Sequence, residues 1–312
     1  MRVIYMGTPD FAVGCLEEII KAGHEVVLVV TQPDKPKGRG KSMQFPPVKE
    51  CAIAHGIEVY QPTKIREQQS IEFLTKYKPD IIVVAAFGQI LPKEILDLPE
   101  YGCINVHASL LPKYRGAAPI QWAVINGEEK SGVTIMKMDE GLDTGDIISR
   151  EIVVLDKDQT GGSLFERLAE TGAKLCVKTM EDIKNGTATY TPQVDEESTH
   201  TTMIHKGLGK IDWTKSAKEI ERLIRGLNPW PSAYTYLDGK TLKIWKAALS
   251  DKDIKAVPGS FFLEGKGEFL VATGEGILSL KEVQMEGKKR MAAEEFWRGY
   301  HTESVCFGKG HA

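Results

Sequence analysis

Arg2-Val3-Ile4-Tyr5-Met6-Gly7-Thr8-Pro9-Asp10-Phe11-Ala12 reads as an apolar strand, a turn and the entry to a helix that runs from Phe11 to Lys21 behind a capping Asp10. The same alternation recurs downstream. Strands are expected at Val26 to Val30, Ile57 to Tyr60, Ile81 to Ala86, Gly102 to Val106 and Val133 to Met138, with Ile147 to Val154 extending the set. Helices are expected between them at Pro47 to His55, Glu67 to Tyr77 and Pro119 to Ile125, and Ser163 to Ile183 is the longest amphipathic stretch. Strands that alternate with helices build a mostly parallel sheet covered on both faces. Residues 1 to 186 are therefore expected to form a doubly wound α/β domain.

The turn Gly7-Thr8-Pro9-Asp10-Phe11-Ala12 does not suit a dinucleotide. Its second and third glycines are missing, and Pro9 would stand where backbone amides must approach a pyrophosphate, with no N–H to offer. Gly7 is read as the residue that permits the tight turn.

With 42% hydrophobic and 27% charged residues in 312, the chain has room for two ordinary globular cores. No apolar run is long enough to span a bilayer and no signal peptide is recognisable at the start, so a cytoplasmic location is expected. The five cysteines, Cys15, Cys51, Cys103, Cys176 and Cys306, are scattered and include no Cys-x-x-Cys. They are read as small buried hydrophobes, and no metal is expected.

Residues 187 to 209 lack sustained periodicity and are read as a linker. A second domain, residues 210 to 312, is expected to open near Ile211-Asp212-Trp213 with a helix from Ala217 to Leu227, stopped by Asn228-Pro229-Trp230-Pro231. Short runs at Ala233 to Leu237, Leu242 to Ala248, Gly259 to Phe262, Phe269 to Ala272 and Ile277 to Val283, separated by Gly- and Asp-rich turns, predict a small β-barrel. Charge differs between the parts. Residues 1 to 205 hold 22 Lys and Arg against 29 Asp and Glu, a net of −7, whereas residues 206 to 312 hold 18 against 14, a net of +4. The second part is thus the better candidate for an anionic partner.

The chemistry concentrates in Asn105-Val106-His107-Ala108-Ser109-Leu110-Leu111-Pro112 and Gly141-Leu142-Asp143-Thr144-Gly145-Asp146. Strand alternation sends Asn105 and His107 to one side near a strand's carboxyl end, where open α/β sheets place ligands. Taken singly, Asn105 or His107 reads more readily as a satisfied structural group, and Asp143 as a turn residue. Together they supply what acyl transfer to an amine requires. Asn105 can donate to the oxygen that gains charge, His107 can accept or relay the amine's proton, and Asp143 can orient the imidazole and stabilise its cation.

These residues resemble the signature of the folate-dependent formyltransferases. The resemblance extends to Gly7-Thr8-Pro9-Asp10-Phe11, Thr31-Gln32-Pro33-Asp34, Gly38-Arg39-Gly40-Lys41, Tyr114-Arg115-Gly116-Ala117-Ala118-Pro119-Ile120, Ile211-Asp212-Trp213 and Asn228-Pro229-Trp230-Pro231. It implies a Rossmann-like catalytic domain followed by a barrel of oligonucleotide-binding (OB-like) type. It further implies 10-formyltetrahydrofolate as donor and an initiator methionyl-tRNA as acceptor; a monomer with no membrane partner is expected. Catalysis is carried onto Asn105, His107 and Asp143. The folate is carried onto Ser109, Leu110, Leu111 and Pro112, onto Phe87, Gln89, Ile90 and Leu91, and onto Asp139, Glu140 and Gly141.

The loop Pro33 to Phe45 sets Lys35, Lys37, Arg39 and Lys41 among Gly and Pro, so the charges should face solvent. The resemblance points them, Arg39 above all, at the tRNA acceptor end. Lys206, Lys210, Lys243 and Lys246 are candidate backbone contacts in the second domain, with Lys288, Lys289 and Arg290 beside them. The rival readings are a formyltransferase for another amine such as glycinamide ribonucleotide, a formyltetrahydrofolate hydrolase, or a non-catalytic folate- or RNA-binding module.

Overall fold

The computed structural model describes residues 1–37, 42–265 and 267–308. It contains two compact units whose membership is not sequential. The first comprises Met1–Pro119, Lys130–Val154 and Phe165–Thr201, and the second comprises Ile120–Glu129, Leu155–Leu164 and the chain from Thr202 onward. Residues 187 to 201, expected as part of a linker, are therefore counted with the first unit.

The first unit is built on a seven-stranded sheet in the order Ile147–Val154, Lys130–Lys137, Cys103–His107, Ile81–Ala85, Arg2–Gly7, Glu25–Val30, Val59–Tyr60. The five strands from Cys103–His107 to Val59–Tyr60 are mutually parallel. Lys130–Lys137 runs antiparallel to both of its neighbours. The central strand Ile81–Ala85 is buried at every residue, which is why its sequence is an unbroken apolar run rather than an alternating one. Ile4, Leu28 and Ile82 are fully buried in one cluster, each contributing about 1.5–3 kcal/mol of burial.

Strand order reverses between Arg2–Gly7 and Ile81–Ala85. The crevice beyond the carboxyl ends of such a pair is the usual ligand site of an open α/β sheet. Gly7 and Ala85 are register partners there, and Thr8 Oγ1 donates to the Phe87 carbonyl at 3.3 Å. Gly7 is required by close approach rather than by its dihedral angles. A Cβ on it would lie 2.7 Å from Ala12 Cβ and 2.9 Å from the Ala85 carbonyl oxygen. Asp10 does not cap the first helix as expected. It belongs to a 3-10 turn, Asp10–Ala12, that leads into the α-helix Val13–Lys21, and Pro9 supplies the carbonyl that Ala12 N–H meets.

The second unit holds an antiparallel sheet in the order Ala233–Leu237, Lys240–Ser250, Ile277–Met285, Glu268–Ala272, Phe261–Glu264, with Met291–Ala292 paired to Ile277–Met285. Burial alternates perfectly along Ala233–Leu237, so Tyr234 and Tyr236 turn away from the core. The C-terminal segment completes the barrel. Phe261 N–H bonds the Val305 carbonyl, Phe307 N–H bonds that of Gly259, and Gly308 N–H bonds that of Tyr236, at 2.9 to 3.2 Å. One segment thus joins the two edge strands of the path. Helix Ala217–Gly226 packs Ala217, Ile220 and Ile224 into this core. A short helix, Ala293–Gly299, adds Phe296 to it and was not expected from the sequence.

Candidate active site

Strand Cys103–His107 ends on the two polar residues that its alternation predicted would share a side, and both meet one carboxylate. Asn105 Nδ2 lies 3.5 Å from Asp143 Oδ1, and His107 Nδ1 lies 3.7 Å from Asp143 Oδ2. The expected orienting role of the carboxylate is taken by another group. His107 Nε2 is 2.9 Å from the carbonyl oxygen of Tyr114. A carbonyl can only accept, so Nε2 carries the hydrogen and the neutral ring presents its lone pair on Nδ1, towards Asp143. Asp143 Oδ2 accepts the Gly116 N–H at 2.8 Å. The turn Tyr114–Gly116 therefore serves both residues, with its carbonyl on the histidine and its amide on the aspartate.

The loop that delivers Asp143 is unusually constrained. Asp143 has φ +56° and Tyr114 φ +61°, left-handed conformations that cost a non-glycine residue of order 1–3 kcal/mol and concentrate at functional sites. Gly145 can be nothing else, since a Cβ there would lie 1.7 Å from the Lys137 carbonyl oxygen. Asp139 Oδ1 accepts from Gly141 N at 3.0 Å and from Thr144 Oγ1 at 2.7 Å. Of the loop residues expected at the folate, Asp139 thus braces the loop, while Glu140 and Gly141 are exposed.

The Ser109–Pro112 turn is pinned from beneath. Thr134 Oγ1 donates to the Ser109 carbonyl at 2.7 Å and accepts from Leu111 N at 3.1 Å. Arg150 Nη1 donates to the Leu111 carbonyl at 3.0 Å. Ser109 Oγ donates to the Lys113 carbonyl at 2.7 Å; Ser109 and Leu111 are buried, and Leu110 is half-buried. Pro112 is half-buried. In the segment after strand Ile81–Ala85, Phe87 and Leu91 are buried and Ile90 is 73% exposed. The Gln89 side chain is engaged structurally, accepting from Ile65 N at 2.7 Å and donating to the Pro62 carbonyl at 3.3 Å. Gln89 and Ile90 also line an open cavity of about 400 Å³ with Gln32, Thr63, Lys64, Arg66 and Pro92, a size within the usual range of small-molecule sites.

Lys35 is exposed. It begins strand Lys35–Lys37, which pairs with Ser42–Gln44 as a short hairpin. Arg39 and Lys41 lie outside the described residues. The hairpin is rooted by Asp34, whose carboxylate receives Lys49 Nζ at 2.7 and 2.9 Å and Gln61 Nε2 at 2.8 Å. The Gln61 hydrogen bond first, and Lys49 second, hold that carboxyl below the usual range. In the second unit Lys206, Lys210 and Lys246 are exposed and Lys243 is half-buried. Lys210 stands 5.9 Å from the Tyr236 ring centre and Lys243 5.4 Å from that of Trp245, whose other neighbour is Arg290 at 5.0 Å.

Several site groups had weak or no signal in the sequence. Thr134 is a lone hydroxyl in the run Val133-Thr134-Ile135-Met136, which could have marked it. Gln193 lies in a polar stretch without pattern, yet its Nε2 donates to the carbonyls of Asp143 and Gly145, each at 2.8 Å. The cysteine reading holds for Cys15, Cys103 and Cys176, which are buried, whereas Cys51 is half-buried and Cys306 is exposed on the closing C-terminal segment. Burial pushes the Cys103 thiol up to about 12. Away from Asn105, His107 and Asp143, the residues Glu17, Cys51 and His55 bring ligand-type atoms within 4.8 Å of one another, a grouping that joins two helical segments and so escaped a search by spacing alone.

Known proteins share this architecture from end to end. The family model for formyl transferases matches residues 1–180, and that for the formyl transferase C-terminal domain matches residues 203–301. Methionyl-tRNA formyltransferase of Agathobacter rectalis is 67% identical over 307 residues, covering 98% of this chain and 99% of that one. The protein of the same name from Lachnospira eligens is 60% identical over 311 residues, covering 97% and 98%. Among solved structures, the sugar 3N-formyltransferase WlaRD, described with dTDP and 5-N-formyl-THF, superposes with a TM-score of 0.67 at 22% identity, covering 93% of this chain and 99% of that one. The N-formyltransferase of Helicobacter canadensis, in complex with folinic acid and dTDP-3-aminofucose, gives 0.65 at 23%, covering 91% and 98%. At these identities the solved structures establish a shared fold, while the two near relatives match the whole chain closely, and the chain belongs to the methionyl-tRNA formyltransferase family.

Proposed function

We propose that the protein transfers the formyl group of 10-formyltetrahydrofolate to the free amino group of a methionyl initiator tRNA. The observation that carries the reading is the convergence of Asn105 and His107 on the single carboxylate of Asp143. The amine nitrogen attacks the formyl carbon, a C–N bond forms, and the oxygen gains charge that Asn105 Nδ2 is placed to receive. His107 Nδ1, the ring nitrogen free of a hydrogen, takes the proton the amine sheds. The resulting imidazolium then has hydrogen-bond donors on both nitrogens, with Tyr114 O on one side and the Asp143 carboxylate on the other. Collapse of the tetrahedral species breaks the bond to the donor nitrogen of the folate, which is protonated as it leaves.

The donor's site is proposed along the pinned Ser109–Pro112 turn, the Phe87–Leu91 segment and the loop at Asp139–Gly141. The cations Lys64 and Arg66 on the adjoining cavity suit the anionic tail of a folate. For the acceptor, Lys35 on the hairpin and Lys206, Lys210, Lys243 and Lys246 in the second unit are proposed to meet phosphates, supplying affinity rather than sequence discrimination. The rival acceptors lack such support, because the near relatives matching the whole chain carry the methionyl-tRNA formyltransferase name.

The test is incubation with a radiolabelled formyl donor and a choice of charged initiator tRNA, charged elongator tRNA and glycinamide ribonucleotide. Label is expected on the charged initiator tRNA. Label on the ribonucleotide, or release of free formate alone, would replace the reading.

A further inference from the structure

We propose that Gln193 is a positioning residue for the transfer site, fixing the loop that carries Asp143, and that Arg115 in turn fixes Gln193. The inference rests on the reading of Asp143 as part of that site. From Thr191 to Glu197 every residue is exposed except Gln193, which turns inward. Its Nε2 donates to the carbonyl oxygens of Asp143 and Gly145, both at 2.8 Å. Its Oε1 accepts from Arg115 Nε at 3.1 Å. The amide orientation is determined chemically, since two carbonyls can only accept and a guanidinium can only donate. No flipped form satisfies the same three bonds.

Arg115 is 3% exposed, and it anchors the same segment again. Its Nη2 donates to Asp195 Oδ1 at 2.8 Å, and its backbone N–H to the Thr199 carbonyl at 2.8 Å. Thr199 Oγ1 accepts from Tyr114 N at 2.8 Å, while His200–Thr201 pairs in parallel with Arg115–Gly116. At its start the segment is tied by reciprocal bonds between Thr191 and Ile147, at 2.8 and 2.9 Å. Residues 191 to 201 therefore form a strap across both turns of the site, the one that offers Tyr114 O and Gly116 N and the one that carries Asp143.

The need for the strap follows from the loop's own conformation. Asp143 sits at φ +56°, and its carboxylate is 3.5 and 3.7 Å from its two partners, distances that a small drift would turn into no interaction at all. Two hydrogen bonds to the carbonyls on either side of Thr144 hold this conformation where its intrinsic preference would not.

Gln193→Glu in the full-length protein separates loop positioning from simple anchoring. It keeps the acceptor that Arg115 binds, and adds charge to it, but replaces the two donations by an oxygen facing two carbonyls. The expected result is a fall in kcat on the order of 10²-fold with the KM for 10-formyltetrahydrofolate within about threefold of the parent. The melting temperature should be retained. Should that variant fail to fold, Gln193→Met, which keeps the chain length and loses the donors, is measured for the same split. Parental kcat in the substituted enzyme, with Asp143→Ala inactive, would overturn the positioning role alone. Parental activity in Asp143→Ala would instead overturn the reading of the site on which it rests.

Discussion

His107 takes its orientation from a backbone carbonyl, not from the carboxylate beside it, and this sets what each residue can do. Tyr114 O fixes the ring and its tautomer before any substrate arrives. Asp143, at 3.7 Å, is proposed to act when the ring becomes charged. Replacement of His107 by alanine is expected to lower kcat by roughly 10²–10⁴-fold, the usual contribution of a general base. Donor binding should be largely retained, and a titration of the folate alongside single-turnover rates checks both. Asn105→Ala is expected to cost about 10²–10³-fold in kcat, the scale of one lost oxyanion donor. A change confined to KM would move Asn105 from the reacting oxygen to substrate binding. The shared side of Asn105 and His107 was legible in the sequence because strand alternation and a carboxyl-terminal strand end are local properties. Gln193 was not, because its partners lie 50 and 48 residues earlier in the chain and no periodicity marks a side chain that turns inward from an exposed strap.

At the scale of elements, legibility followed the strength of the local signal. The helix read as Ala217 to Leu227 appears as Ala217–Gly226 with a full capping box, Ser216 Oγ accepting from Glu219 N and the Glu219 side chain returning to the Ser216 N–H. Ser216→Ala is expected to destabilise the second unit by about 1 kcal/mol, measured as a shift in its denaturation midpoint with an unchanged slope. The fully buried run Ile81–Ala85 was equally plain. The stretch read as a linker is tied down without a hydrophobic pattern. The strap is held by side-chain bonds and single backbone bridges rather than by a buried face, so composition gave it no pattern to show. The same holds for the C-terminal segment Val305–Gly308, whose three ladder bonds depend on edges supplied by Gly259, Phe261 and Tyr236. Thr134 offers a test that links element to function. Thr134→Val keeps the strand's shape but unpins Ser109 and Leu111, so the KM for the donor should rise several-fold, on the order of one lost buried hydrogen bond of about 1 kcal/mol, with a smaller effect on kcat. A parental KM would detach that turn from the folate.

Over the whole molecule, charge and chemistry are divided. The acidic first part carries the proposed triad, and the +4 balance from residue 206 onward is modest for a partner as highly charged as a tRNA. Arrangement matters more than the sum. Strand alternation turns Tyr234 and Tyr236 outward, Lys210 stands over the Tyr236 ring, and Lys243 and Arg290 flank Trp245. Arg290 is already bonded to Glu282, with Nε to Oε2 at 2.7 Å, which leaves the two lysines as the better phosphate ligands. Each phosphate neutralised releases condensed counterions, so affinity falls linearly with the logarithm of salt concentration, and removing one such contact lowers the slope by about 1. The paired substitution of Lys210 and Lys243 by glutamine is therefore expected to flatten the salt dependence of the KM for charged tRNA by about 2 in slope. It should weaken binding at low salt and leave single-turnover kcat and the donor KM at parental values, because neither lysine has a part in the triad. The measurement is a salt series on the parent and the paired variant. A slope that does not change would take these lysines out of the tRNA interface and shift the electrostatic burden to the hairpin at Lys35.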